Sequence, residues 1–498
     1  MESYKKLKKV MHTLADIGAA GSMLGWDQET FMPDGAVEAR AEQIATLTAL
    51  SHGMMISDET QRIAEEVQTH MAHLHDRQKR VVKMFLRDLD QSLKRPSSFV
   101  EQMARTAALA QDGWKKARRA DDFTVFQPHL QKIVDLKHQE AELVGFGDHP
   151  YDAMLDMYEP GLTMKALDPV FSNLRDGTKT ILGKIDPFQD TVHDIVLYRS
   201  FEKDKQLAVA TEIIRHLGFS LETGRVDLSE HPFCTHFHAT DVRLTTRIRE
   251  TDLRSCLFGL IHESGHGMYE QGVSPELSRT PSAQGASMGI HESQSLFWEN
   301  VIARSEEFWH WAFPILHSAF PDQLKDHDAS SFYRAVNKMK PSLNRVESDE
   351  LTYNLHIIIR YELERGLMDG SIKVKDIPTE WNQRMDSYLG VLPQSDFEGC
   401  LQDVHWSFGG IGYFPSYSLG KLYAAMEWNA MQKDIPDVRD RIANGDFHAI
   451  LSWLRLKIHD YGRTETPDEI IKRVTGRPLT EQDFLDYVGA KAAHVYGF

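Results

Sequence analysis

Apolar residues recur every three or four positions over most of the chain, the spacing that gathers them on one face of a helix. Between Tyr4 and about Met23 they fall at Leu7, Val10, Met11, Leu14 and Ile17, which predicts an amphipathic helix. The pattern continues from about Ala36 to His70, with a break expected near Ser51-His52-Gly53. From Asp76 to Arg118 charged and apolar residues interleave as on long solvated helices. Gln131 to Val144 is a further helical window, and turns are expected at Phe146-Gly147-Asp148-His149-Pro150 and Glu159-Pro160-Gly161. The segment Leu228 to Arg249 departs from this rhythm. Its alternation and its Thr and Val content predict a few strands, forming a small sheet beside the helix that follows. No repeat, low-complexity run or flexible linker interrupts the chain. The expectation is a mainly α fold over residues 1–498, read as a single domain with two lobes around a groove.

Composition narrows the function classes. The chain has 498 residues, beyond the usual size of one compact core, and a hydrophobic fraction of 41% that can fill a large one. Its formal charge is −17, from 56 basic and 73 acidic residues. An acidic surface argues against phosphate-backbone binding, so no nucleic-acid partner is expected. The three cysteines, Cys234, Cys256 and Cys400, are far apart and form no Cys-x-x-Cys pair. They indicate neither a disulfide framework nor a thiolate metal site, and they fit a reducing compartment. No apolar run of about 18 residues is present, and the N-terminal Met1-Glu2-Ser3-Tyr4-Lys5-Lys6 leads into an amphipathic stretch. A cytoplasmic protein without a membrane span is the expectation.

Chemistry concentrates in one predicted helix, Asp252 to Gln271. Leu253, Leu257, Leu260, Ile261, Ser264 and Met268 recur at helical spacing, and Asp252 suits the exposed amides at the helix start. Within it stands His262-Glu263-Ser264-Gly265-His266. Histidines four apart project from one face, and two imidazoles there can share one zinc ion. Glu263, the next residue along, is placed to take a proton from a water and return it to a leaving amine. So short a motif arises by chance on ordinary helix surfaces, but this helix is otherwise apolar. It also holds Gly265 and Gly267, each costing about 1 kcal/mol against alanine, which suggests a close approach. A third protein ligand is required. A second predicted helix starts near Ile290 and offers His291, Glu292 and Glu299.

Further motifs then identify the chain as similar to the carboxypeptidase Taq family of metallocarboxypeptidases over nearly its whole length. Trp26-Asp27-Gln28-Glu29-Thr30, followed by Met32-Pro33, resembles the family's N-terminal signature. Asp241-Val242-Arg243-Leu244-Thr245 matches its Asp-x-Arg-x-Thr motif, and His291-Glu292-Ser293-Gln294 its His-Glu-Ser-Gln motif. Arg345-Val346-Glu347-Ser348-Asp349 corresponds to Ile/Val-Arg-x-x-Ala-Asp, with Asn344 and Ser348 departing from it. Gly399-Cys400-Leu401-Gln402-Asp403-Val404-His405-Trp406 matches Gly-x-x-Gln-Asp-x-His-Trp, and Gly412 to Tyr417 follows as expected. The resemblance implies Glu292 as third ligand and a largely helical, neurolysin-like fold with a deep groove. It also implies a homodimer and the release of single residues from free peptide C-termini with broad side-chain tolerance.

A C-terminal exopeptidase needs donors for a developing oxyanion and a cation for the substrate carboxylate. His405, Tyr413 and Tyr417 are candidates for the first, though His405 is also readable as a core histidine and the two tyrosines as core aromatics. Arg345 is the first choice for the second, Arg243 the next, with Gln402 joining them at the substrate. Arg345 could instead pair with Asp349, four residues on, and Asp241 could brace Arg243. Zinc is the expected metal, with cobalt or manganese as substitutes for the same donor set. The rival expectations are an endo-oligopeptidase of similar fold and a catalytically silent helical binding protein.

Overall fold

The computed structural model describes residues 2–498. The chain divides into two compact units, neither continuous in sequence. The first comprises Met1–Leu93, Asp194–Val336 and Glu427–Arg477, and the second Lys94–His193, Asn337–Met426 and Pro478–Phe498.

The first unit carries the protein's sheet. Strands β1 (Gly224–Leu228), β2 (Cys234–His238) and β3 (Asp241–Thr246) lie in the order β1-β3-β2. β3 pairs parallel with β1 and antiparallel with β2. β1 begins upstream of the segment where strands were expected, because Gly224-Arg225-Val226 shows no alternation of its own. Val242 and Leu244, on the central strand, are fully buried. Helix Leu253–Gly272 packs on this strand, on helix Lys203–Leu217 and on helix Met288–Leu296. Asp252 caps it, accepting from the Arg254 amide, as the sequence predicts. Behind it stands an apolar block that includes Trp298, Phe308, Trp309 and Phe332, all fully buried.

The N-terminal helices end elsewhere than the periodicity alone predicts. The first runs Glu2–Thr30, and the next two are Val37–Met55 and Asp58–Thr69. The break expected at residues 51–53 falls instead at Ile56-Ser57, where the Ser57 hydroxyl caps the following helix through the Thr60 amide. Asp76 to Arg118 is two helices, Asp76–Lys94 and Ser97–Ala120. Pro96 separates them, since the residue before a proline is pushed out of the helical region.

In the second unit, helix Ser97–Ala120 packs on Phe123–Val144, Tyr353–Asp369 on Ile377–Leu389, and Met164–Ile185 on Gln482–Tyr496. Among the described residues no helix is long and apolar enough to cross a membrane.

Candidate active site

In the first unit, His262 and His266 leave helix Leu253–Gly272 one turn apart. Glu292 comes from helix Met288–Leu296, which begins at the Ser287 cap. Its Oε2 lies 3.9 Å from His262 Nε2 and 3.5 Å from His266 Nε2. The ligand atoms of the three residues all lie within 4.8 Å of one another. Two ligands about 2.0–2.1 Å from a tetrahedral ion sit roughly 3.3 Å apart, so the spacing suits a small divalent cation. Gly265 makes this possible. A Cβ there would stand 2.6 Å from Gln294 O and Ser295 Cα, so the second helix rests directly on the glycine. Gly267 likewise admits Phe219 and Leu244.

Both imidazoles are oriented from behind. His262 Nδ1 donates to Glu299 Oε2 at 3.0 Å, and His266 Nδ1 donates to the His291 carbonyl at 3.1 Å. Each Nε2 is therefore turned toward Glu292. Glu299 also accepts from Arg304 at 3.0 Å, so it sits on the far nitrogen of His262. His291 turns away as well, donating to Glu270 at 2.7 Å while its ring stacks on His266. Of the three candidates for third ligand, only Glu292 faces both Nε2 atoms.

The electrostatics ask for a cation. Burial pulls His262 down, but Glu292, Glu299 and Glu263 outweigh it and raise its imidazole to about 10. Burial would raise Glu299, yet His262 and Arg304 hold it at about 2. Burial, reinforced by Glu292 and Glu299, pushes Glu263 up to about 7 against the pull of His262 and His291. Three carboxylates around two imidazoles fit a divalent ion. Arg243, also in this unit, is held bidentately by Asp241 at 2.9 and 3.0 Å. Its guanidinium lies over Trp26 at 4.3 Å and Phe237 at 4.8 Å. Asp241 therefore braces Arg243, and the Trp26 motif closes on the same cation.

The second unit holds the other expected residues. Arg345 is buried in the turn Arg345–Glu347. Its Nε and Nη2 donate to Asp403 Oδ1 at 3.0 and 2.7 Å, and its Nη1 to the Tyr353 hydroxyl at 2.6 Å. N–H bonds on Nη1 and Nη2 remain for a further acceptor. The alternative pairing with Asp349 does not form. That carboxylate caps the next helix, accepting from the Lys340, Leu351 and Thr352 amides. Arg360 donates to the other oxygen of Asp403 at 2.6 Å, so one carboxylate holds two guanidiniums.

Gln402, expected at the substrate, lies beneath Arg345. Its Oε1 accepts from the Arg345 amide and from Arg360, and its Nε2 donates to the Leu343 and Glu398 carbonyls. With both amide ends engaged, it is a strut beneath Arg345. His405 gathers Tyr413 and Tyr417, with ring centroids at 5.2 and 6.1 Å, and its Nε2 lies 3.3 Å from the Tyr417 hydroxyl. Burial, with Arg345 and Arg360, lowers His405 to about 4 despite Asp403. It is a neutral imidazole at neutral pH.

A family model described as carboxypeptidase Taq (M32) metallopeptidase matches residues 6–492. The chain belongs to this family. It is 37% identical to carboxypeptidase 1 of Bacillus subtilis over 495 residues, covering 99% of this chain and 98% of that protein. It is 36% identical to thermostable carboxypeptidase 1 of Pyrococcus furiosus, with 98% of each covered. The solved M32 carboxypeptidase of Deinococcus radiodurans superposes with a TM-score of 0.97 at 36% identity, covering 100% of both chains. The chain is thus a metallocarboxypeptidase of mainly α fold with a small three-stranded sheet. A divalent metal is implied by the family, and His262, His266 and Glu292 form its candidate site.

Several groups that complete this carboxypeptidase's two clusters carry little sequence signal. Glu427 is a single charge inside an apolar helical run, and that anomaly is its only mark; Arg360 and Glu364 stand in the mixed stretch Arg360-Tyr361-Glu362-Leu363-Glu364-Arg365 and leave none. All three are fully buried. Glu427 accepts from Ser293 Oγ at 3.1 Å and Gln294 Nε2 at 3.0 Å, pinning the helix that bears Glu292. Asp403 lies inside a recognised motif, yet its task of holding two arginines depends on Arg360, which no motif includes.

Proposed function

We propose that this metallocarboxypeptidase removes single residues from the free C-termini of peptides, with broad side-chain tolerance, using Zn²⁺ held by His262, His266 and Glu292. The observation that carries this reading is the convergence of the three ligand atoms with both imidazoles oriented through Nδ1. Two imidazoles and a carboxylate suit zinc, and Co²⁺ or Mn²⁺ would serve as substitutes. When bound, the ion supplies Lewis acidity toward the attacking water and the scissile carbonyl.

The chain's own residues do the rest. Glu263 is the general base; it takes the water's proton and returns it to the leaving amine. It is buried directly beside the ligand His262 on the same helix, within reach of a water at the metal site. His405, Tyr413 and Tyr417 are the neutral donors for the oxyanion. His405, depressed to about 4, donates without adding charge of its own. Arg345 takes the substrate carboxylate through its remaining N–H bonds, with Asp403, Tyr353 and Gln402 fixing its plane. Arg243, paired bidentately with Asp241 and covered by Trp26 and Phe237, is the second candidate for that task. The family resemblance further suggests a homodimer, which sedimentation velocity tests, and the few unpaired cysteines suggest the cytoplasm.

The deciding experiment is mass spectrometry of matched peptides with free and amidated C-termini. Stepwise loss of residues from the acid forms alone is expected. Equal cleavage of both forms would remove the need for a carboxylate-binding arginine and favour an endopeptidase. Glu263→Gln should keep its metal and lose turnover, which separates the base from the ligands.

A further inference from the structure

Glu364 is a fully buried carboxylate on helix Tyr353–Asp369. No basic side chain is within ion-pairing range of it among the described residues. Three donors converge on it instead. Its Oε1 accepts from Trp406 Nε1 at 2.8 Å. Its Oε2 accepts from the Tyr151 hydroxyl at 2.6 Å and from the Gly412 amide at 2.9 Å. Burial raises its carboxyl to about 7 against these bonds and the charge of Arg360. An unpaired buried carboxylate is costly, and a hydrophobic residue of similar size would pack with less penalty.

The two N–H donors sit beside the residues assigned to the oxyanion. Trp406 follows His405 directly, and Gly412 precedes Tyr413 directly. The Trp406 ring is wedged against Trp381 and Phe414, so its Nε1 fixes the turn His405–Phe408. Gly412 has φ +89, and a Cβ there would stand 2.6 Å from Met154 backbone atoms. That backbone path is forced, and its amide points at Glu364. Tyr413 then packs edge-on against Tyr158.

We infer that Glu364 is a positioning residue, whose two oxygens set the spacing between His405 and Tyr413 by tethering the residue next to each. The inference rests on the reading of His405 and Tyr413 as oxyanion donors. It makes a specific demand of chemistry. Each carboxylate oxygen faces an N–H that cannot rotate away, one from Trp406 and one from Gly412. A glutamine has one acceptor and one amino group, so in either orientation it sets N–H against N–H. The Tyr151 hydroxyl, by contrast, can turn.

The test compares Glu364→Gln with Tyr151→Phe, which removes the third donor but leaves both tethers. For Glu364→Gln a fall in kcat of about tenfold or more is expected, with KM within about threefold and metal content unchanged. Tyr151→Phe should hold kcat within about twofold even where it lowers Tm to a similar extent. Equal kcat losses in the two variants, or a wild-type kcat in Glu364→Gln, overturn the inference. Should Glu364→Gln fail to fold, Trp406→Phe decides. It deletes one tether and keeps an aromatic ring, and an unchanged kcat in that variant would equally overturn the inference. His405→Phe and Tyr413→Phe run alongside. If neither lowers kcat, the donor reading itself fails. If both do and Glu364→Gln does not, only the positioning role falls.

Discussion

Gly265 is the position where one methyl group should do the most damage to the metal site. A Cβ at this residue would lie 2.6 Å from both the Gln294 carbonyl oxygen and the Ser295 Cα, about 0.8 Å short of ordinary contact. Both are backbone atoms, so no rotamer change relieves the clash. The helix Met288–Leu296 must move, and Ser295 is tied to Glu292 by a hydroxyl bond to its carbonyl at 2.8 Å. Overpacking of this kind costs about 1–3 kcal/mol, against about 1 kcal/mol gained from alanine's helix propensity. Gly265→Ala should therefore be destabilised by at most about 2 kcal/mol and still fold. Its larger effect falls on Glu292, displaced by a substantial fraction of an ångström. Metal affinity should drop by about 10- to 100-fold, the range seen when ligand support is lost. Affinity would be measured by competition with a chromophoric chelator, and stability by urea unfolding in chelator. Gly259→Ala is the control on the same helix, since its Cβ would meet only Thr246 Oγ1 at 3.8 Å. It should bind metal normally and gain up to about 1 kcal/mol. If Gly265→Ala binds metal as tightly as the parent, the close approach of the two helices is not what places Glu292.

Three further outcomes are expected. Glu299→Gln keeps an acceptor for His262 Nδ1 but removes its charge; metal affinity should fall about 10- to 100-fold, and isothermal titration showing no change would discount Glu299 as the orienting group. Removing the metal with a chelator should abolish activity and lower Tm, with Zn²⁺ or Co²⁺ restoring both; at metal concentrations 100 times Kd the restored stability is about 2.7 kcal/mol. His405 is depressed to about 4 from an ordinary 6.5. Between those values the unfolded chain binds the proton and the native one does not, so stability is lost as pH falls through that window. By pH 4.5 the loss is about 2–3 kcal/mol, and His405→Phe, unfolded by urea in chelator at pH 7.5 and 4.5, should lack that component.

The helical architecture is legible in the chain because burial of one face imposes a period near 3.6, and that period is strong in segments such as Leu253 to Met268. The ends of the elements are less so. Ser51-His52-Gly53 looks like a break, but a single glycine costs only about 1 kcal/mol inside a helix, and the packed helix runs on to Met55. The break comes where Ser57 can cap the next helix, a local bond with a stronger hold on the boundary than composition. The π-helical turn Phe297–Ile302 carries no period that would announce it. Glu299 sits inside it, and its partner is set by where that turn aims the side chain.

The site divides along the same line. His262, His266 and Glu263 are legible because their chemistry is written in spacing on one helix, where sequence distance and spatial distance coincide. Glu292 is not: spacing alone leaves it level with Glu299 and His291, and only the motif match separates them. In the structure, distance along the helix axis decides. Seven residues span about 10 Å, so Glu292 and Glu299 cannot share one ion and instead meet opposite nitrogens of His262. Arg345 is harder still. The acidic residue one helical turn on, Asp349, is used as a cap, while its partner Asp403 is 58 residues away. Asp403 in turn answers to Arg360. A guanidinium that is to receive a substrate carboxylate must be held flat by an anion that does not consume all its donors. That requirement is met by Asp403 and Arg360, residues distant in sequence whose pairing no spacing announces.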